Sequence, residues 1–153
     1  MKIVSGGQTG VDRAALDAAL QGGVEAGGWC PEGRMAEDGV IPAQYPVQVL
    51  PKAGPRQRTK KNVQDSDGTV IIYFDCPTGG TQETILFCIK EKKPYLLLDA
   101  TEISPGRAAQ RVLDFVREHA IKVLNVAGPR ASREPRAYEY AKKVLCLTAE
   151  GMA

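Results

Sequence analysis

At 153 residues the chain is long enough for one domain with a substantial buried core. With 43% hydrophobic and 25% charged residues it is patterned as a soluble globular protein, and a net charge of +2 points to neither a nucleic-acid polymer nor a membrane surface as partner. The longest strongly apolar runs, "TVIIYF" and "PYLLLD", are far too short to cross a bilayer, and no secretory leader pattern opens the chain, so a cytoplasmic location is expected.

"KIVS" (2–5) is a short β-rich run, and "VDRAALDAALQG" (11–22) is a helix ended by glycines. An irregular glycine- and proline-rich stretch follows over 27–46, then a short "VQVL" strand. "QRTKKNVQDS" (57–66) has the pattern of a helix, "GTVIIYF" (68–74) of a buried strand and "GGTQETILFCIKEKK" (79–93) of a capped helix. "PYLLLD" (94–99) is a strand, "SPGRAAQRVLDFVREHA" (104–120) a long amphipathic helix and "KVLNVAG" (122–128) a further strand. "EPRAYEYAKKVL" (134–145) is the last helix, with Pro135 suited to its first turn. The strands lack polar alternation, as in a sheet buried on both faces, and strand and helix alternate along the chain. The fold class is therefore α/β: one Rossmann-like three-layer domain over 1–153, with a mainly parallel sheet flanked by helices.

Cys30, Cys76, Cys88 and Cys146 form no Cys-x-x-Cys pair and read as free, mostly buried thiols. His119, the one histidine, falls near a helix end and reads as a cap or surface residue. No metal site is expected from this set.

Three loops at strand ends carry the unusual residues: "SGGQTG", "DCPTGGTQET" and "NVAGPRASREP". All three should emerge at one edge of the sheet, where open α/β folds bind ligands. A glycine turn leading into a helix directs backbone N–H groups and the positive end of the helix dipole outward, which suits a phosphate. No Lys-Ser or Lys-Thr follows either glycine turn, so neither is a Walker P-loop. The expected ligand-binding residues are Gly6, Gly7, Gln8, Thr9 and Gly10 from the first loop, Gly79, Gly80, Thr81 and Thr84 from the second, and Gly128 and Arg130 from the third. Thr9 and Thr81 are also natural helix N-caps, and Asp12 and Glu83 fit first helical turns as acids. Arg13 and Arg130 oppose the dipole unless an anion is near. Arg56, Arg58, Lys60 and Lys61 crowd another helix start; Arg58, with Thr59 and Asn62, could reach the glycine loops, whereas the other three suit a solvated face. Within 27–46, Trp29 is either a core anchor or a stacking platform. Arg34 is a candidate for an anionic ligand group, and Asp38 for a ring nitrogen or ribose hydroxyl.

"GGQTGVDRAALDAA", "GWCPEGRMAEDG", "RTKKNVQDSDGTVI", "GGTQET" and "NVAGPR" occur in the order of the circularly permuted YpsA-like family of the SLOG superfamily, which the chain resembles over nearly its whole length. The family is often labelled molybdenum carrier. The resemblance implies a Rossmann-like fold, a site for nucleotide-like or phosphate-bearing ligands, molybdenum cofactor (molybdopterin) as cargo, and homodimers or larger assemblies. The superfamily also includes phosphoribohydrolases with a P-G-G-x-G-T-x-x-E motif whose glutamate assists catalysis. Here the matching string is "CPTGGTQET". Gly79, Gly80 and Thr81 inherit the cradle, but Thr84 holds the glutamate position, and Glu83 lies one residue earlier, about 100° around a helix.

Three readings follow. The first is a cytosolic binding protein for a phosphorylated heterocycle. The second is a phosphoribohydrolase cleaving the N-glycosidic bond of a nucleoside 5′-monophosphate, with Glu83, Asp12 or Asp38 as acid/base. The third is a nucleotide-sensing adaptor module.

Overall fold

The computed structural model describes residues 1–152. In chain order its elements are β1 (Lys2–Val4), α1 (Val11–Gln21), β2 (Glu25–Gly27), β3 (Trp29–Cys30), a 3-10 turn (Glu32–Arg34), β4 (Met35–Ala36), β5 (Gly39–Val40), β6 (Gln48–Val49), α2 (Pro55–Gln64), β7 (Gly68–Tyr73), α3 (Gly79–Lys90), β8 (Tyr95–Asp99), α4 (Pro105–Glu118), β9 (Val123–Ala127) and α5 (Ala137–Met152). Five strands form the central sheet in the order β2-β1-β9-β7-β8, and every pairing in it is parallel. The last strand is thus inserted between β1 and β7, from which the chain departs in opposite directions. That reversal is the topological switch point at which α/β sheets open a ligand crevice.

Burial explains the layers. Val70 and Ile72 of β7 face a core shared with α1, α4 and α5, while Ile71 between them packs with Val63 of α2 and Phe87 and Cys88 of α3. Both faces of β7 are covered, which is why its sequence is apolar without alternation. A smaller cluster of Leu16, Cys30, Ile41, Tyr45 and Val47 seats the segment between β2 and β6 against α1. Asp17 reinforces that seat by accepting hydrogen bonds from the hydroxyls of Tyr45 and Tyr138.

Several expectations shift. The stretch 27–46 is more ordered than its glycines and prolines suggest: β3 pairs with β6 in parallel and β4 with β5 in antiparallel. β2, too short to read from sequence, is the sheet edge beside β1. The helix expected over 57–66 starts at Pro55, where a missing N–H costs nothing in the first turn, and Gln57 accepts from the Gly54 N–H at 3.1 Å. The last helix runs from Ala137 to Met152 rather than over 134–145, so Pro135 precedes it. Its buried face continues through Thr148 and Ala149, with the Thr148 hydroxyl satisfied by the Val144 carbonyl at 2.8 Å. His119 caps the end of α4. Only Cys30 and Cys88 of the four free cysteines are buried; Cys76 is exposed and Cys146 intermediate.

Candidate functional site

The loops leaving β1, β7 and β9 meet around a cleft of about 200 Å³. Gly6, Gln8, Asp12 and Arg58 contribute to its lining from one direction, Gly80, Thr81, Glu83 and Thr84 from α3, and Gly128 and Arg130 from the loop after β9. Gly7, Thr9, Gly10, Arg13, Arg34, Asp38 and Gly79 are not among the lining residues. Arg56, Thr78, Asn125 and Arg133 line the cleft without having been singled out as ligand residues from sequence.

The first glycine turn is largely spent on the protein itself. The Arg58 Nη1 donates to the Gly6 carbonyl at 2.6 Å and lies 3.7 Å from Asp12 Oδ2. A Cβ at position 6 would fall 2.0 Å from that Nη1, so glycine is what lets the guanidinium lie against the turn. Asp12 Oδ2 in turn accepts from the Gln8 N–H at 3.3 Å, and the Gly6 N–H is also directed at the carboxylate. Burial pushes the Asp12 carboxyl up to about 6, despite the opposing pull of Arg58 and the two N–H groups.

Thr9 is not the cap of α1. Gly10 holds that position, and the Thr9 hydroxyl instead donates to Glu37 while accepting the Ala131 N–H at 3.1 Å. Glu37 also takes the Ser132 N–H at 3.1 Å and sits 3.4 Å from Arg130 Nε, clamping the first and third loops together. Burial opposes its charge, but the hydrogen bonds from Ser132 and Thr9 prevail and hold its carboxyl below the usual range. Gly10 has φ 79° and ψ −128°, and a Cβ there would stand 2.4 Å from the Pro129 carbonyl. Gly10→Ala is therefore expected to lower stability by about 1–3 kcal/mol in urea unfolding, through backbone strain and separation of the two loops.

The second loop is different. Thr78, rather than Thr81, is the N-cap of α3, and its side chain makes no capping bond. Thr81 lies in the first turn, only 7% exposed, and its hydroxyl makes no hydrogen bond within the described residues. A Cβ at Gly80 would meet nothing within 4 Å. Thr84 is tied down, its hydroxyl donating to the Gly80 carbonyl at 2.9 Å. Glu83 falls in the second turn of α3 and is paired with Arg56 at 2.6 Å. Asn125, from β9, is 3% exposed; its Nδ2 donates to Thr69 Oγ1 at 3.3 Å, and its Oδ1 has no partner among the described residues. Arg133 makes no ion pair within them and lies 3.6 Å from where a Gly79 Cβ would stand.

A model of the circularly permutated YpsA SLOG family matches residues 3–149. The chain belongs to that family. It is similar to the crystal structure, at 1.45 Å resolution, of a protein designated "Putative molybdenum carrier protein" from Syntrophus aciditrophicus SB. Identity is 45%, the match covers 96% of this chain and 93% of that one, and the TM-score is 0.93. No curated protein matches the chain.

In this YpsA SLOG chain the remaining expected site residues serve the scaffold. The Arg34 guanidinium donates to the carbonyls of Ile41, Pro42, Tyr45 and Val47, at 2.8 to 3.2 Å, and so folds the 41–47 segment instead of facing an anion. Arg13 holds Asp38 through two bonds of 2.9 and 3.1 Å and also donates to the Gly7 carbonyl, which consumes both expected ligand groups. Trp29 anchors β3 to α2: its Nε1 donates to Asp65 at 2.8 Å, and Asn62 bonds its backbone N–H and carbonyl at 2.8 and 3.0 Å.

Proposed function

We propose that the cleft binds a phosphorylated heterocyclic small molecule, nucleotide-like or pterin, with its phosphoryl group at the start of α3. One observation carries this reading. Thr81 and Asn125 are nine-tenths buried, line the cleft and keep hydrogen-bonding capacity that no atom of the described residues uses and that a bound ligand would take up. The dipole of α3 favours an anion there. The ionisable lining residues comprise Arg56, Arg58, Arg130 and Arg133 against Asp12 and Glu83, so the cleft carries an excess of positive charge. The designation of the Syntrophus protein as a "Putative molybdenum carrier protein" supports a carrier role, and we propose molybdenum cofactor as the cargo. We place this role in the cytoplasm; no helix among the described residues is long and apolar enough to cross a membrane. A homo-oligomer is proposed too, supported by the exposed apolar side chains Leu86 and Ile89 of α3 and Tyr95 and Leu97 of β8.

Calorimetric titration with inorganic phosphate and AMP tests the site. Thr81→Val and Arg133→Ala are each expected to weaken both probes about tenfold, the size of one lost charge-assisted hydrogen bond. Unchanged affinity in both variants would remove the α3 turn as the phosphate locus.

A second reading, hydrolysis of an N-glycosidic bond, is favoured by Asp12, a cleft carboxyl at about 6 and so suited to proton transfer near neutrality. Against it, Glu83 is held by Arg56 and Thr84 by the Gly80 carbonyl. Chromatography for free base after incubation with nucleoside monophosphates decides between turnover and binding alone.

A further inference from the structure

We infer that Asp12 is a specificity-determining residue: its carboxylate fills the anion cradle of the first glycine turn, so the cleft accepts one phosphoryl group, at α3, and rejects a ligand that carries two. This rests on the α3 turn being the phosphate locus.

Two glycine turns, the first after β1 and the second at the start of α3, open onto one cleft. Such a pair would ordinarily suit a diphosphate, one group on each turn, because each presents backbone N–H donors. The turns are not equivalent here. In the first, the Gln8 N–H goes to Asp12 Oδ2 at 3.3 Å and the Gly6 N–H is directed at the same carboxylate. The nearest cation, Arg58, divides itself between the Gly6 carbonyl at 2.6 Å and Asp12 at 3.7 Å. The Thr9 N–H is taken by Gln8 Oε1 at 3.0 Å. Two of the turn's N–H donors thus already serve an internal anion and a third serves a side-chain amide oxygen. In the second turn no carboxylate plays that part. The Thr81 and Gln82 N–H groups turn to the Thr78 carbonyl at 3.2 and 3.4 Å. The Gly79 and Gly80 N–H groups, however, make no hydrogen bond within the described residues, the Thr78 side chain makes no capping bond and Thr81 keeps a free hydroxyl.

A second phosphoryl group at the first turn would meet the Asp12 carboxylate, which is only 13% exposed and therefore weakly screened. It would have to expel that carboxylate from its N–H partners or lie against a like charge. A hydroxyl or a ring N–H meets the opposite situation, because a carboxylate edge accepts from either. The ligand class that fits is a phosphate monoester whose neighbouring groups are hydrogen-bond donors.

The test compares inorganic phosphate with pyrophosphate, and AMP with ADP, by calorimetry at pH 7.5 on wild type, Asp12→Ala and Asp12→Asn. Wild type is expected to bind pyrophosphate no more tightly than phosphate, and AMP about tenfold more tightly than ADP. Asp12→Ala empties the cradle and should raise the pyrophosphate-to-phosphate affinity ratio about tenfold; Asp12→Asn, which removes charge while keeping shape, should raise it about threefold. If thermal melting shows Asp12→Ala to be unfolded, the Asn variant decides alone. Wild type that already prefers the two-phosphate probes, or an unchanged ratio in every folded variant, overturns the inference while leaving the α3 site standing. Failure of all four probes to bind any variant overturns both.

Discussion

Arg58→Ala is expected to destabilise the protein by about 3 kcal/mol or more, because it breaks a largely buried ion pair and strands the other charge. Arg58 is 8% exposed, and its side chain does three things at once. It donates to the Gly6 carbonyl at 2.6 Å, stands 3.7 Å from Asp12, and occupies the space that a side chain on Gly6 would need. Alanine removes the donor, opens a gap behind the first turn and leaves the Asp12 carboxylate with only backbone partners. The loss should appear as a lower urea midpoint at pH 7.5 with an unchanged slope. Arg58→Lys should recover little, since an ammonium is a point charge without the planar fork that serves both oxygens. The decisive comparison is a double-mutant cycle. In the Arg58→Ala background, Asp12→Asn should restore about 1–3 kcal/mol, the range of coupling between residues in contact. Simple additivity of the two single changes would show that Arg58 acts through packing alone.

The broad architecture was legible because it follows from patterns that burial enforces. "TVIIYF" lacks polar alternation because β7 is covered on both faces, and three strand-end loops rich in glycine do converge on the same edge. What could not be read is which polar atoms the fold spends on itself. Nothing local says that the chain after Met35 turns back until four carbonyls surround Arg34. Asp38 and Arg13 each look available, yet 25 residues apart in sequence they are bidentate partners. Arg133 escaped notice for a related reason. A turn closed by its own N–H on the Arg130 carbonyl, at 3.1 Å, accompanies its return to the cleft, and no periodic pattern announces such a turn. Asn125 read simply as a strand residue; its amide matters because β9 is inserted between β1 and β7, a long-range pairing invisible to local sequence. Thr84 is the instructive middle case. The motif register predicted a threonine where related enzymes place an acid, and the structure shows its hydroxyl turned back onto the helix.

Anion binding by the cleft should strengthen as the pH falls through about 6, and Asp12→Asn should abolish that dependence. Sulfate is the suitable probe, because its charge is constant over the range where phosphate itself titrates. The folded Asp12 carboxyl titrates at about 6 against the ordinary 3.8, so it takes up a proton on acidification well before the unfolded chain does. Above that pH the cleft contains a carboxylate that repels sulfate; below it the group is neutral and can donate. Arg58 and Arg13 are the cations that act on Asp12, and Glu83 reaches the same cleft from α3 paired with Arg56. Wild-type sulfate affinity should therefore be about five- to tenfold higher at pH 5 than at pH 7.5, a coupling of ordinary size. The same shift has a signed effect on stability. A raised folded pKa means that the Asp12 contribution is fully present below 3.8 and is lost as pH rises through about 6, a swing on the order of 3 kcal/mol. Glu37, Asp38 and Asp67 are held below their ordinary range and act in the opposite sense, losing stability as pH falls. Asp12→Asn separates the two trends: it should abolish the fall in melting temperature that Asp12 causes between pH 4 and pH 7.5. A wild-type sulfate affinity that stays flat from pH 5 to 7.5, or one whose slope survives in Asp12→Asn, would mean that the anion never senses this carboxylate.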